Sequence, residues 1–190
     1  NHNYLPVNRR WIEWVHGHLD RAADPIVFNG NFPRGPGQPS SAEELRRNLA
    51  AYRAAGVKFV VGPPGVDVFA ANGAAQSGTR LAYEDAVMRI YELANPAPYF
   101  GSLSGSCAIQ ASERTMARLE CSQPDSIIRR ELYSPGWRAE VNGREASVEP
   151  YDEAFQAIAA PAGISEVRFR YSPPHSRWAW LAAALGLLAL

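Results

Sequence analysis

The sequence has no excess of charge of either sign, since its 190 residues contain 19 lysines and arginines against 19 aspartates and glutamates. The two signs also balance within residues 1–100 and within residues 101–190. This balance excludes a basic field of the kind that attracts nucleic acid or an anionic membrane surface. The composition, 46% apolar and 20% charged, is typical of a packed globular chain and excludes disorder as the main state.

The sequence also lacks the motifs of familiar catalytic sites. It contains no G-x-S-x-G elbow, and the prolines of the Gly62–Gly65 loop remove backbone donors that a phosphate loop needs. His16, His18 and Asp20 offer three kinds of metal ligand, but residues two apart on a helix point about 200° away from each other. We therefore predict no metal site, no cofactor and no catalytic residue.

A free-standing hydrolase is one alternative, with Asp67, Asp152 and Glu153 as the available carboxylates. Such an enzyme needs carboxylates that converge in one cleft. Asp152 and Glu153 are adjacent in an expected turn, so their side chains diverge. We interpret both as solvated charges.

The two ends of the chain indicate a piece of a longer protein. The chain begins at Asn1 without a methionine and shows no signal peptide. At the other end, Trp178–Leu190 is an uncharged segment whose leucines surround the whole helix, which disfavours the alternative of an amphipathic core helix. The segment is shorter than the roughly 20 residues that span a bilayer. We predict that 175–190 is the start of a transmembrane helix, with Arg177, Trp178 and Trp180 as interfacial anchors.

Only two cysteines are present, Cys107 and Cys121. A hairpin that turns at residues 113–115 places them opposite each other and pairs Ile109 with Leu119 on the same apolar face. Two buried free thiols are the alternative for a cytosolic protein. The register favours a disulfide, which implies an oxidising compartment.

Residues 1–103 carry alternating helix and strand patterns. One helix is predicted after a cap at Asn8, and a second from a capping box at Ser41 and Glu44 to a C-cap at Gly56. Apolar runs predict three strands, at 25–29, 57–61 and 87–93. The first two strands flank the second helix, which indicates a parallel crossover and a small α/β domain, with the 57–61 strand covered on both faces.

From residue 104 the pattern changes to short alternating runs separated by turns. Asn142-Gly143 is a strong two-residue hairpin signal, and its register pairs Ala139 with Ala146 and places Trp137 on the apolar face. About six such strands predict an antiparallel β-sandwich. The predicted fold class is therefore α/β plus all-β, with an α/β domain at 1–103, a sandwich at 104–174 and the membrane segment at 175–190.

Three motifs follow one another within Ser134–Pro174. They are P-G-W-x-A-x-V-N-G at 135–143, P-A-G at 161–163 and Y-x-P at 171–173. This stretch resembles the C-terminal extracytoplasmic region of YfhO-like bacterial membrane proteins, relatives of the GT-C glycosyltransferases, in which a transmembrane helix follows. With similar phrases upstream, the resemblance covers about three-quarters of the chain and leaves the first forty residues unmatched.

The resemblance implies that the parent protein is a polyprenyl-phosphate-sugar-dependent glycosyltransferase of the bacterial cytoplasmic membrane. It implies for this chain a non-catalytic domain on the extracytoplasmic, periplasmic side. Such a domain would cap the membrane active site, hold a lipid-linked sugar or acceptor glycan, or stabilise the transmembrane bundle. The implied partners are the transmembrane remainder of the same chain and a polyprenyl-linked sugar or envelope glycan, with no nucleic acid.

An independent carbohydrate-binding β-sandwich is the alternative from another functional class. Its candidate ligand-binding residues are Tyr99, Trp137 and Tyr151, whose rings would stack on sugars. Because strand alternation places Trp137 on an apolar face, a core role is favoured for that residue. An exposed row of rings over a groove would favour carbohydrate binding, and buried rings would favour the scaffold role.

Overall fold

A computed structural model describes residues 8–23, 34–70 and 78–188, without the side chains of four residues in the last helix. The chain divides into two compact units, Asn1–Pro98 and Tyr99–Leu190. The described residues are mostly β, with three antiparallel sheets and few helices. The predicted domains at 1–103, 104–174 and 175–190 stay a prediction.

The described part of the first unit contains three helices, α1 Arg9–His18, α2 Ser41–Arg47 and α3 Leu49–Ala54. The predicted cap of α1 is confirmed, because the Asn8 side chain accepts a hydrogen bond from a backbone N–H in the first turn. The predicted capping box of α2 is displaced by one residue. Ser40 and Glu43 form it, with their side chains and backbone N–H groups bonded reciprocally.

The second predicted helix is interrupted at Asn48, between α2 and α3. The Asn48 amide nitrogen donates to the carbonyl of Leu19 at 2.6 Å and to the carboxylate of Glu44 at 3.0 Å. The bond to Leu19 is a tertiary contact, and the backbone at Asn48 is non-helical, with φ −104° and ψ 20°. The predicted C-cap at Gly56 is confirmed, because Gly56 has φ +85° and its N–H donates to the carbonyl of Arg53.

The sheet of the first unit has the order β1-β3-β2, where β1 is Phe59–Gly62, β2 is Thr79–Glu84 and β3 is Arg89–Leu93. Both pairings are antiparallel. The prediction that the 57–61 run is covered on both faces is wrong, since Phe59 and Val61 are 50% and 65% exposed on an outer strand. The predicted strand at 25–29 lies outside the described residues, so the parallel crossover stays a prediction.

The core of the first unit lies on the sheet face opposite to the exposed side chains of Phe59 and Val61. It is formed by buried side chains of α2, α3, β3 and the 63–70 loop, namely Leu45, Leu49, Val68, Phe69, Tyr91 and Leu93. The Phe69 and Tyr91 rings meet edge to face at 5.1 Å.

The second unit contains two sheets. One has the order β10-β11-β7-β4 and the other β5-β6-β12-β8-β9. The strands are β4 Phe100–Ser102, β5 Cys107–Glu113, β6 Met116–Cys121, β7 Asp125–Arg129, β8 Trp137–Val141, β9 Arg144–Ala146, β10 Glu149–Tyr151, β11 Phe155–Ala160 and β12 Gly163–Tyr171.

Buried residues of both sheets form one hydrophobic core, which is the packing of a β-sandwich. Its centre includes Leu119 from β6, Ile127 from β7, Ile158 from β11 and Val167 from β12, each 2% exposed or less. Every second residue from Ala117 to Cys121 in β6 and from Ser165 to Phe169 in β12 is buried, as a sheet with one solvated face requires.

Both predicted hairpins are confirmed. In the β5–β6 hairpin Cys107 pairs with Cys121 and Ile109 with Leu119, and the cysteines form a disulfide. In the β8–β9 hairpin Ala139 pairs with Ala146 around the Asn142-Gly143 turn, where both residues have positive φ.

A fourth helix, α4 Ser176–Leu188, follows β12 after four residues. Its described side chains from Trp178 to Leu187 are all exposed, so they do not pack as an amphipathic core helix. Among the described residues, no helix is both long and apolar enough to cross a membrane.

Candidate functional site

A buried arginine, Arg129, lies against two of the three aromatic residues that the sequence analysis selected, Tyr99 and Trp137. Arg129 ends β7 and is directly opposite Gln156 of β11, and both side chains are almost fully buried, at 1% and 0% exposure. Strand alternation places Arg129 on the same face as Ile127, which points into the core. The sequence analysis did not select Arg129, although this alternation is a signal that could have found it.

Three aromatic rings surround the Arg129 guanidinium. Its central carbon lies 4.3 Å from the ring centre of Trp137, 4.6 Å from that of Phe169 and 5.7 Å from that of Tyr99. These distances are within the range of cation–π attraction, which is strongest where water is excluded. The cluster thus joins two of the three predicted ligand-binding residues, Tyr99 and Trp137, through one cation.

Polar groups also accept hydrogen bonds from the Arg129 guanidinium. Arg129 Nε donates to the carbonyl of Arg114 and Nη1 donates to Gln156 Oε1, each at 2.9 Å. Nη2 lies 3.8 Å from a carboxylate oxygen of Glu131. Burial lowers the pKa of Arg129 from its ordinary value.

Tyr99 is tied to the same network. Its hydroxyl donates to Glu131 Oε2 at 2.6 Å, and its ring packs edge to face on Phe100. Burial, and then the hydrogen bond to Glu131, raise the pKa of Tyr99 to about 12. The ring is therefore held in place and neutral.

Trp137 is half-buried and packs against the core, with Tyr171 at 5.2 Å between ring centres. Its remaining surface lines a groove of about 430 Å³, which we call the Trp137 groove. Polar side chains of the groove are Arg138, Glu145 and Ser147. Trp137 therefore contributes to the core and also presents part of its ring beside polar groups.

Tyr151 lies elsewhere in the second unit. It is half-buried on β10, opposite Phe155, and among the described residues no ring or cation–π contact links it to Tyr99 or Trp137. The three predicted rings therefore do not form one exposed row.

No family model, curated protein or solved structure matches this chain. The resemblance to YfhO-like proteins therefore rests on the sequence motifs alone.

The structure gives most of those motif residues a role in folding. Gly136 has φ +108°, and a Cβ there would lie 2.3 Å from the carbonyl oxygen of Ser172. The Gly136 carbonyl in turn accepts a hydrogen bond from the Ser172 N–H. The P-G-W and Y-x-P segments are thus in contact, next to the start of α4. Gly163 of the P-A-G motif also has positive φ, at +91°.

The candidate metal ligands in and just after α1 have other partners. His16 bonds the carbonyl of Ala23 at 2.7 Å, and His18 stacks on Trp14. Asp20 is buried and accepts a hydrogen bond from Arg34 at 3.0 Å. No group of ligands suited to a metal ion occurs among the described residues.

The three carboxylates considered for a hydrolase are all exposed. Asp67 closes a local turn by accepting from the N–H of Phe69. Asp152 and Glu153 both have positive φ in the turn between β10 and β11.

Asp125 is a half-buried carboxylate that accepts several hydrogen bonds, and the sequence analysis missed it. Burial would raise the pKa of its carboxyl, but hydrogen bonds from Ser102 and from the N–H groups of Ser104 and Ser126 outweigh this and lower the pKa. The Ser106 hydroxyl also donates to it, at 3.1 Å. Asp125 thus anchors the loop that leads to Cys107, and this arrangement is structural.

Proposed function

We propose that this chain is a non-catalytic, extracytoplasmic module of a polytopic, YfhO-like bacterial membrane protein related to the GT-C glycosyltransferases. Its work is to cap the membrane active site, to hold a lipid-linked sugar or acceptor glycan, or to stabilise the transmembrane bundle. The observation that carries the proposal is α4, an apolar helix that directly follows the sandwich and finds no packing partner among the described residues.

The exposure of α4 is costly in water. Trp178 and Trp180 are 69% and 77% exposed, and Leu181, Leu185 and Leu187 are each at least half exposed. Burying one leucine is worth about 1.5–3 kcal/mol, so this surface favours a lipid environment. We place the tryptophans at the headgroup level and the leucines deeper, as the start of a transmembrane helix.

The disulfide supports the proposed location of the domain on the extracytoplasmic side of the membrane. Cys107 and Cys121 are bonded, and disulfides persist in oxidising compartments such as the bacterial periplasm. The contact between Gly136 and Ser172 supports the resemblance in a further way, because the two motif segments form one corner from which α4 departs.

Flotation with phosphatidylcholine vesicles tests the proposal. The wild-type chain should float with the vesicles, and Leu181→Gln/Leu185→Gln/Leu187→Gln should reduce the bound fraction by roughly tenfold or more. The matched control is Leu103→Gln/Ile164→Gln, which removes two exposed apolar side chains outside α4 and should bind as wild type does. A wild-type chain that stays with the soluble fraction, or a triple variant that floats equally well, would refute membrane insertion of α4.

A carbohydrate-binding module is the second candidate, and the Trp137 groove is the observation that favours it. The groove combines part of an indole ring with the polar side chains Arg138, Glu145 and Ser147. Titration calorimetry with envelope glycans distinguishes the two candidates. Trp137→Phe should leave vesicle binding unchanged, and loss of glycan binding in that variant would favour the carbohydrate-binding module.

A further inference from the structure

A larger groove lies where the five-stranded sheet meets α4. It has a volume of about 800 Å³. Its lining comes from the start of β8, the end of β12 and the segment that leads into α4. Its lining includes Arg138, Arg170, Tyr171 and Trp178. We call this the juxtamembrane groove.

Two arginines stand directly opposite each other in this groove. Arg170 of β12 pairs with Arg138 of β8 in the antiparallel register. Residues so placed have Cβ atoms about 4.5–5.5 Å apart, and like charges in such pairs destabilise a sheet. An anion bound between the two arginines would neutralise this repulsion, which gives a reason for a pair that otherwise costs stability.

The surrounding charges leave the pair with an excess of positive charge. Arg138 forms an ion pair with Glu145 at 2.9 Å, and both side chains are more than half exposed. The side chain of Arg170 has no hydrogen-bond or ion-pair partner among the described residues. No acidic side chain lines this groove in the described part of the chain.

The other side of the groove is aromatic and adjoins the membrane segment. Tyr171 is 47% exposed, and Trp178 belongs to the first turn of α4. Exposed tryptophan and tyrosine are enriched at the headgroup level of membranes. If α4 enters the bilayer, the two arginines therefore lie at the depth of the lipid phosphates.

We propose that the juxtamembrane groove binds the phosphate of an anionic phospholipid headgroup, with Arg138 and Arg170 as its ligands. This inference rests on the proposed function, because it needs α4 in the membrane. Arginine is suited to this role, since its planar guanidinium bonds phosphate oxygens in pairs. The binding is electrostatic and weakens with salt.

The test compares two kinds of vesicle, phosphatidylcholine alone and equal parts of phosphatidylcholine and phosphatidylglycerol. The chain has no net charge, so a general attraction to the anionic vesicles is not expected and any preference reports a local site. A basic residue near an anionic surface contributes about fivefold in affinity. Arg170→Gln should lower the anionic-to-neutral binding ratio about fivefold, and Arg138→Gln/Arg170→Gln should bring it close to one.

Arg118→Gln is the charge-matched control, because Arg118 is an exposed arginine on β6 of the same sheet and lies outside the groove. It should keep the wild-type ratio. The melting temperature of Arg170→Gln should equal or exceed that of wild type, since the substitution relieves a like-charge pair. Equal ratios for Arg170→Gln and Arg118→Gln would overturn the inference.

Neutral vesicles separate this inference from the proposed function. Binding of wild type to neutral vesicles with no preference for anionic ones would refute the lipid-phosphate site and leave α4 insertion supported. Failure to bind either vesicle would refute both. Inorganic phosphate is the remaining probe, and millimolar phosphate that abolishes the preference at constant ionic strength would overturn the headgroup assignment in favour of a free-anion site.

Discussion

Replacing Arg129 tests whether the buried network holds the sandwich together. Arg129→Met removes the charge and its desolvation cost but leaves Gln156 Oε1 and the Arg114 carbonyl without their 2.9 Å donors. The buried Gln156 acceptor, left unsatisfied, costs about 1–3 kcal/mol, and the cation–π contacts are lost as well. Allowing for the relieved desolvation, we expect a net loss of about 2–4 kcal/mol in the free energy of unfolding.

A double-mutant cycle in urea at neutral pH measures this coupling. Gln156→Leu alone leaves Arg129 short of an acceptor, whereas Arg129→Met/Gln156→Leu removes both members of the bond. The double variant should therefore lose about 1–2 kcal/mol less than the sum of the single losses. Arg118→Met, on an exposed position of β6, is the control and should stay within about 0.5 kcal/mol of wild type. A negligible loss for Arg129→Met, or additive single effects, would show that the network does not stabilise the fold.

Three further predictions concern the disulfide, Trp137 and Tyr99. Replacing Cys107 and Cys121 together by serine should cost about 3 kcal/mol, because the bond closes a loop with a sequence separation of 14, and labelling of denatured, unreduced wild type should detect no free thiol. Trp137→Ala should cost about 3 kcal/mol in urea unfolding, and unchanged stability would remove Trp137 from the core. The pKa of Tyr99 is raised to about 12 in the folded chain, so its contribution to stability is complete below its ordinary value of 10.0 and is lost as pH rises toward 12. Between pH 10 and 12 the melting temperature should fall less steeply with pH in Tyr99→Phe than in wild type. The same pH dependence in both proteins would contradict this reasoning.

The hairpins were predictable because their information is local. The Asn142-Gly143 turn requires positive φ, and the spacing of Cys107 and Cys121 around a short turn leaves one register that keeps an apolar face. Such patterns depend on neighbours a few residues away. The structure therefore reproduces both registers.

Long-range contacts account for what the sequence did not predict. The break at Asn48 depends on a hydrogen bond to Leu19, 29 residues away, which no helical periodicity reveals. The apolar run that includes Phe59 and Val61 is typical of a strand covered on both faces, yet β1 is an outer strand and these rings and methyl groups are exposed. Apolar composition alone does not tell which strand will lie in the middle of a sheet.

The candidate site was predicted only in part for the same reason. Tyr99 and Trp137 were selected for their ring chemistry, but their shared contact is Arg129, which follows Ile127 and Ile128 and precedes a second arginine. The opposition of Arg138 and Arg170 depends on the pairing of β8 with β12. Charge composition, which sums to zero over the chain, conceals such a local pair.

The disulfide has a consequence for how this module behaves when it is made in a reducing cell. The sandwich has four outermost strands, and three of them, β4, β9 and β10, have only three residues each. The fourth, β5, has seven residues and is the one bonded covalently to its neighbour. A long edge strand with unpaired backbone groups can pair with strands of other molecules. An edge strand that detaches also exposes the next strand of the sheet. Reduction would therefore release the longest outer strand of the described sandwich, so the disulfide protects the protein's solubility as well as its stability.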